Sequence, residues 1–235
     1  DAQHNRLYGF EALVRWPQED GSLINPDEFI PLAEQNGAII PLTQLLLAQL
    51  LKQLAAWRHQ NLAFGKVAIN ISALHFQQSN LIDTLVDNLA KFDVPASCLE
   101  LEITESAMME NPQFAEQQMK RIKSLGVQIA LDDFGTGHSS LSYLKRFPID
   151  TLKIDKSFVR DIANNEQDRN ITATIVRLAK YLNINVVAEG IETQEQAYML
   201  HIMGCHCQQG YYYSKPLKVE QVNEFIKNKL AKQLT

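Results

Sequence analysis

Five carboxylates interrupt otherwise apolar segments of this chain: Glu11 in YGFEALV, Glu102 in CLELEI, Asp132 and Asp133 closing VQIALDD, and Glu189 in NVVAEG. Asn70, ending KVAIN, and Lys153, inside TLKID, are polar residues in the same kind of setting. Carboxylates crowded into one site raise one another's pKa, burial raises it further, and a divalent cation removes that cost. Carboxylate and amide oxygens suit hard ions such as Mg2+ or Mn2+, whereas structural zinc would want a His/Cys set. Asp132 and Asp133 could each serve one of two ions, and ions about 3.5 to 4 Å apart activate water and steady the leaving oxygen in phosphoester hydrolysis. Any one of these acids alone reads as a helix cap or salt-bridge partner. Their repetition at equivalent places carries the reading of a shared site. A lysine in a core strand is unusual unless paired, so Lys153 would orient water, offset phosphate charge or hold the carboxylates by a salt bridge.

The run DDFGTGHSS follows the acidic pair with glycines and small hydroxyl residues, a composition suited to a tight loop over a ligand. It lacks the GK[ST] ending of a phosphate-binding P-loop. His138, in this loop, reads as solvent-facing or as a hydrogen-bond partner. His201, Cys205, His206 and Cys207 bring zinc to mind, but a Cys-His-Cys run cannot wrap one ion with ordinary ligand spacing. Asp155 and Lys156 read as caps of the segment that follows them. Trp16 and Trp57 read as core or groove-edge aromatics, and Tyr211 as a packing residue that could stack on a base.

The elements that must position these residues alternate along the chain. Short apolar runs at 7–14, 66–71, 98–103, 127–133, 151–155, 184–190 and 208–213 predict strands. Segments of helical period lie between them, at 27–35, 41–59, 79–91, 112–124, 168–182, 193–203 and 219–231. Repeated strand–helix units imply a mainly parallel sheet. Polar residues at the ends of so many different strands favour a barrel mouth over the single crevice of an open sheet. Seven strands are one short of a closed barrel, so a further strand is expected ahead of residue 1, joined through the polar turn DAQHN. No linker-like stretch divides the chain, and residues 1–235 read as a single domain.

Composition narrows the function classes. The 235 residues are 46% apolar and 21% charged, enough for one complete core and unlike a disordered chain. Lys and Arg number 22 against 27 Asp and Glu, which excludes a bulk basic footprint for DNA or RNA polymers but not a small phosphorylated ligand. Three cysteines make no disulfide framework and suit the cytoplasm. No run approaches the roughly 18 to 20 uninterrupted apolar residues of a membrane span. The chain begins without Met and without signal-peptide character, as a cytoplasmic piece excised from a larger protein, free or membrane-anchored, would.

Taken together, Glu11-Ala12-Leu13 within EALVRW, NIS at 70–72, ELEITES at 100–106, DDFGTG at 132–137, FPIDTLKIDKSFV at 147–159, VAEGIET at 187–193 and QGYYYSKPL at 209–217 resemble the EAL-domain family, the bacterial cyclic di-GMP phosphodiesterases. The resemblance runs from Tyr8 to Lys229. It implies an α/β fold, a modified TIM (β/α)8 barrel whose first strand is antiparallel, that strand being absent from this chain. It implies metal-dependent hydrolysis of cyclic di-GMP to linear pGpG. By motif, Glu11, Asn70, Glu102 and Asp132 resemble direct ligands of two Mg2+ or Mn2+ ions, and Asp133 the residue that reaches the second ion. Lys153 and Glu189 resemble the residues that steer the attacking water, Glu189 also coupled to the metals. Glu105 resembles the anchor of the DDFGTG loop. Gln209, Arg15, Leu13, Asp155, Glu192 and Tyr211 resemble substrate-side residues. Ca2+ is expected to inhibit. The resemblance also implies a homodimer through 134–146 and 156–182, and sensor or GGDEF domains in the parent protein. His138 and His206 depart from the family pattern, at places usually held by Tyr and Asp. A receptor that binds without cleaving is the rival reading, against which the retained acidic motifs weigh.

Overall fold

The computed structural model describes residues 1–135 and 141–233. The chain opens with β1 (Gly9–Ala12), then a two-stranded antiparallel pair, β2 (Trp16–Pro17) and β3 (Leu23–Ile24), outside the main sheet. Helix α1 (Pro26–Gln35) begins at Asn25, whose side chain accepts from the Asp27 N–H, with Pro26 in the first turn where its missing N–H costs nothing. Helix α2 (Ile39–His59) leads to β4 (Lys66–Asn70), the short α3 (Ala73–Phe76), α4 (Leu81–Phe92) and β5 (Leu99–Thr104). Then come α5 (Glu105–Glu110), α6 (Pro112–Ser124), β6 (Gln128–Phe134), α7 (Leu141–Leu144), β7 (Thr151–Ile154) and α8 (Lys156–Arg160). Helix α9 (Glu166–Tyr181), β8 (Asn185–Ala188), α10 (Gln194–Ile202), β9 (Cys207–Gln208) and α11 (Val219–Gln233) complete the order.

Seven strands form one sheet in the order β1-β4-β5-β6-β7-β8-β9, every pair parallel. This is a barrel-like sheet left open between β1 and β9 among the described residues, in accord with the expected fold class. The expected antiparallel strand concerns residues ahead of Asp1. One expectation needs correction. The last strand is only Cys207–Gln208, and 211–213 form a turn. Gly210 lies so close to Ile191 that a Cβ there would stand 2.1 Å from the Ile191 carbonyl oxygen, and the three tyrosines beyond it are exposed.

Register fixes which residues share the inner face. Glu11 pairs with Ala68, Ala68 with Glu100, Glu100 with Gln128, Ala130 with Thr151, Lys153 with Val187, and Val187 with Cys207. Partners in a ladder face the same side, and so do residues two apart in a strand. One face therefore carries Glu11, Asn70, Glu102, Asp132 and Lys153 at or near the strands' C-terminal ends, with Glu189 and Gln209 just beyond β8 and β9. Nearer the N-terminal ends it carries Lys66, Glu100, Gln128 and Thr151. The other face takes Val67, Ile69, Leu99, Leu101, Ile103, Ile129, Leu131 and Leu152, which pack as a core under the helices.

Helix α2 is long and apolar enough to cross a membrane by length and composition. Here it buries Leu47, Leu51, Leu54 and Trp57, spaced three or four apart, in that core. Among the described helices it is the one that meets this criterion.

Candidate active site

Lys153 is the hub. Held in β7 and 3% exposed, its Nζ lies 2.8 Å from Glu102 Oε2, 2.7 Å from Glu189 Oε1, 3.3 Å from Asp132 Oδ1 and 3.9 Å from Glu11 Oε2. Four strands and the segment after β8 thus deliver one ammonium and four carboxylates to a single point. Asn70 Nδ2 donates to Glu11 Oε1 at 2.9 Å, and Gln209 Nε2 donates to Glu11 Oε2 at 2.6 Å. The first and last strands are joined across the mouth by that second bond.

The electrostatics follow from burial and crowding. Burial pushes the Glu102 carboxyl well above the usual range; Lys153 opposes this, and Glu11 and Asp132 add to it. Burial likewise lifts Glu189 to about 7 against the pull of Lys153. Burial alone would lower Lys153, but Glu102, Glu189, Glu11 and Asp132 outweigh it and hold the ammonium charged. One ammonium against four carboxylates leaves the site strongly negative when all are ionised. Glu102 Oε2 and Glu189 Oε1, though beside the lysine charge, have no well-angled hydrogen bond among the described residues.

These buried oxygens, offset only by the Lys153 charge, and the all-oxygen donor set fit a hard divalent cation. Among the described residues, however, no three His, Cys, Asp or Glu side chains are spaced as ligands of one ion. The carboxylates are drawn onto the lysine instead.

Asp133 breaks the regular strand, in which it would face away from Asp132. Its φ is 55°, the β6–β7 register shifts between Leu131 and Phe134, and its N–H donates to Asp132 Oδ1 at 3.0 Å. Its carboxyl is raised by burial and then by Asp132 and Asp155. Glu105, 3% exposed at the start of α5, accepts the Gly135 N–H at 3.4 Å, which ties the beginning of the DDFGTG loop to β5. His138 and the rest of that loop through residue 140 lie outside the described residues.

The remaining expected residues are spread around the rim. Asp155 caps α8 by accepting from the Ser157 N–H, the capping role read from the sequence. Arg15 is exposed and donates to the Val14 carbonyl at 2.7 Å. Leu13 and Tyr211 are exposed, with Lys215 Nζ 6.0 Å from the Tyr211 ring. Glu192 is exposed, its backbone N–H bound to Gln196 Oε1 at 2.8 Å.

Two buried groups escaped sequence reading. Lys66 Nζ contacts Glu100 Oε1 at 2.6 Å, Gln128 Oε1 at 3.1 Å and Thr151 Oγ1 at 3.1 Å, forming a polar floor beneath the carboxylates. The signal was present: Glu100 lies two residues before Glu102 and so faces the same way. Gln196 is the other. Its Oε1 takes the Glu192 and Thr193 N–H groups and its Nε2 donates to the Arg160 carbonyl, fastening the segment after β8 to α8.

The family model described as EAL domain matches residues 1–216. Signaling protein YkoW of Bacillus subtilis (strain 168) is 42% identical over 221 residues, 94% of this chain and 28% of that protein. Cyclic di-GMP phosphodiesterase PA2567 of Pseudomonas aeruginosa is 37% identical over 227 residues, 97% of this chain and 38% of its own length. Among solved structures, the PaMucR phosphodiesterase in complex with c-di-GMP superposes with a TM-score of 0.87 at 38% identity, covering 90% of this chain and 86% of that one. The chain spans about a third of the length of the curated relatives it matches.

Proposed function

This chain belongs to the EAL domain family, and from that premise we propose that it hydrolyses one phosphodiester bond of cyclic di-GMP to give linear pGpG. The observation that carries the reading is the convergence of Glu11, Glu102, Asp132 and Glu189 on Lys153 at one end of the sheet. Family membership implies metal-dependent chemistry in general. Glu11, Asn70, Glu102, Asp132, Asp133 and Glu189 would hold two Mg2+ or Mn2+ ions, which supply Lewis-acid charge to the phosphate and acidify water.

The chain's own residues do the rest. Lys153 holds Glu102 and Glu189 in place and adds a fixed positive charge where a water would attack phosphorus. Glu189, held 2.7 Å from Lys153 beside the other carboxylates, would take the proton of that water. The new P–O bond forms as the bond to the ribose 3′ oxygen breaks, and that oxygen leaves as a hydroxyl after taking up a proton. Glu105 keeps the Gly135 turn against the site, and Gln209 braces Glu11. Arg15, Leu13, Asp155, Glu192 and Tyr211 form the rim against which the ribose, phosphate and guanine groups would lie. Ca2+ would bind and inhibit, because its longer and looser coordination misplaces the nucleophile.

The proposal extends to the parent protein: a cytoplasmic catalytic domain joined to sensor or GGDEF domains. It pairs with a second copy through the loop after β6 and through α8 and α9. A hollow of about 660 Å3 along α9, lined by Glu166, Gln167, Asn170, Ile171, Thr174 and Ile175, lies on that surface.

The test is chromatographic turnover of cyclic di-GMP by purified protein in Mg2+, Mn2+ and Ca2+, with a binding titration in Ca2+. Formation of pGpG in Mg2+ or Mn2+, its suppression by Ca2+, and its loss in Glu11→Ala and Asp132→Ala are expected. Tight binding without turnover in every metal would make the chain a receptor. Undiminished turnover by the folded, metal-replete variants would sink the ligand assignment.

A further inference from the structure

At the pole opposite the carboxylates, the turn between α10 and β9 carries two imidazoles. Helix α10 ends at Ile202, Gly204 takes φ 87°, and the N–H of buried Cys205 donates to the Leu200 carbonyl at 2.9 Å. This reversal folds His206, the residue before β9, back over His201 in the last turn of α10. The ring centroids are 4.9 Å apart with planes inclined by 61°, and the two Nδ1 atoms face each other at 3.3 Å. His201 is exposed and His206 half-buried, so the pair is open to solvent on one side.

Two ring nitrogens at that separation share either a proton or a cation. Imidazole nitrogens that bind one tetrahedral ion at about 2.0–2.1 Å each lie about 3.3 Å apart. A square-planar or octahedral ion would bring them to about 2.9 Å. We propose that His201 and His206 form a two-imidazole site for a divalent transition-metal ion, Zn2+ above others, separate from the oxygen-lined centre at the mouth.

The surroundings favour a neutral, ligating His206. Burial, with the nearby His201 and His4, lowers the His206 pKa. The N-terminal turn that brings His4 close is itself docked there, its Ala2 N–H donating to the His206 carbonyl at 2.7 Å. The neighbouring cysteines take no part. Burial pushes the Cys205 thiol up to about 12, and burial raises Cys207 as well, so neither is a ready thiolate. The pair that meets is His-His, five residues apart. Water fills the remaining positions, which makes the site one of modest affinity.

The experiment uses tag-free protein in excess Mg2+, which saturates the oxygen-lined centre, titrated with ZnCl2. Imidazole nitrogen resonances and the calorimetric isotherm are followed together. One equivalent of Zn2+ is expected to move the Nδ1 signals of His201 and His206 in step. His201→Gln and His206→Gln, with unchanged far-ultraviolet dichroism, are each expected to weaken that binding roughly tenfold or more. Nδ1 signals unmoved by Zn2+, or variant isotherms that superimpose on the wild type, would overturn the site and leave an imidazole–imidazole hydrogen bond only.

Discussion

Single side chains carry the largest energies in this molecule. Lys153 is the sharpest case, since its ammonium is the counter-charge for four carboxylates that the strands force together. Removing one partner of a buried ionic cluster leaves uncompensated charge and costs about 3–5 kcal/mol. Lys153→Met in chelator should lower the unfolding free energy from urea titration by about that amount, seen as a lower midpoint, and abolish turnover when Mg2+ is restored. A midpoint within experimental error of wild type would show that the carboxylates are relieved by other means. His75 presents the opposite problem. It is fully buried in α3, neither ring nitrogen has a hydrogen-bond partner among the described residues, and burial depresses its pKa. The unfolded chain therefore binds the proton more readily, so the stability His75 permits is complete above about pH 6.5 and lost as pH falls. The slope from this one residue is at most about 1.4 kcal/mol per pH unit. His75→Leu should flatten the stability profile between pH 6.5 and 5 in denaturant titrations; an unchanged slope would place the acid sensitivity elsewhere.

Elements matter here through their ends. Every site residue in a strand lies at or near its C-terminal end, where the ladder stops and side chains reach past it. The loops beyond are secured by single polar side chains. Glu105 at the head of α5 meets Gly135 after β6, and Gln196 in α10 grips both the 192–193 backbone and the Arg160 carbonyl. Gln196 also completes a capping box with Thr193. Gln196→Ala strands those backbone groups, and a loss of about 1–3 kcal/mol is expected by thermal or urea unfolding. Because the same segment carries Glu189, turnover should fall as well, while Gln196→Glu should retain more of both. Equal losses in the two variants would mean that the amide donor to the Arg160 carbonyl, not the acceptor for the 192–193 backbone, is what the position supplies. The floor formed by Lys66, Glu100, Gln128 and Thr151 sits one layer below the active carboxylates and neutralises Glu100, which would otherwise add to their repulsion.

For the whole molecule, the surplus of negative charge at one mouth links cation binding to folding. A ligand that binds the native state alone stabilises it by about 2.7 kcal/mol at a hundred times its dissociation constant. Mg2+ should therefore raise the melting temperature of the wild type relative to chelator, and Glu11→Ala should lose most of that increment while melting no lower in chelator. An equal Mg2+ shift in both would argue that the ion binds away from the mouth.

How much of this was legible in the sequence depends on the range of the interaction that decides it. Alternation of apolar strands with helical segments is local, and the seven main strands and the longer helices lie near their expected bounds. The exception is the last strand, cut short at Gln208 by the approach of Gly210 to Ile191, a contact across two segments. The β2–β3 pair is two residues per strand, too short to leave a periodic signal. Residue type and strand position sufficed to nominate Glu11, Asn70, Glu102, Asp132, Lys153 and Glu189, because an ionisable group in an apolar strand needs a partner. They could not say which group is the hub. That Lys153 reaches four carboxylates, that Gln209 spans 198 residues to Glu11, and that His206 turns back onto His201 follow from register and chain reversal. The sequence determined which chemistry is present and on which face; only the tertiary structure decided which atoms meet, since ångström distances between remote strands are set by the packing of the whole sheet.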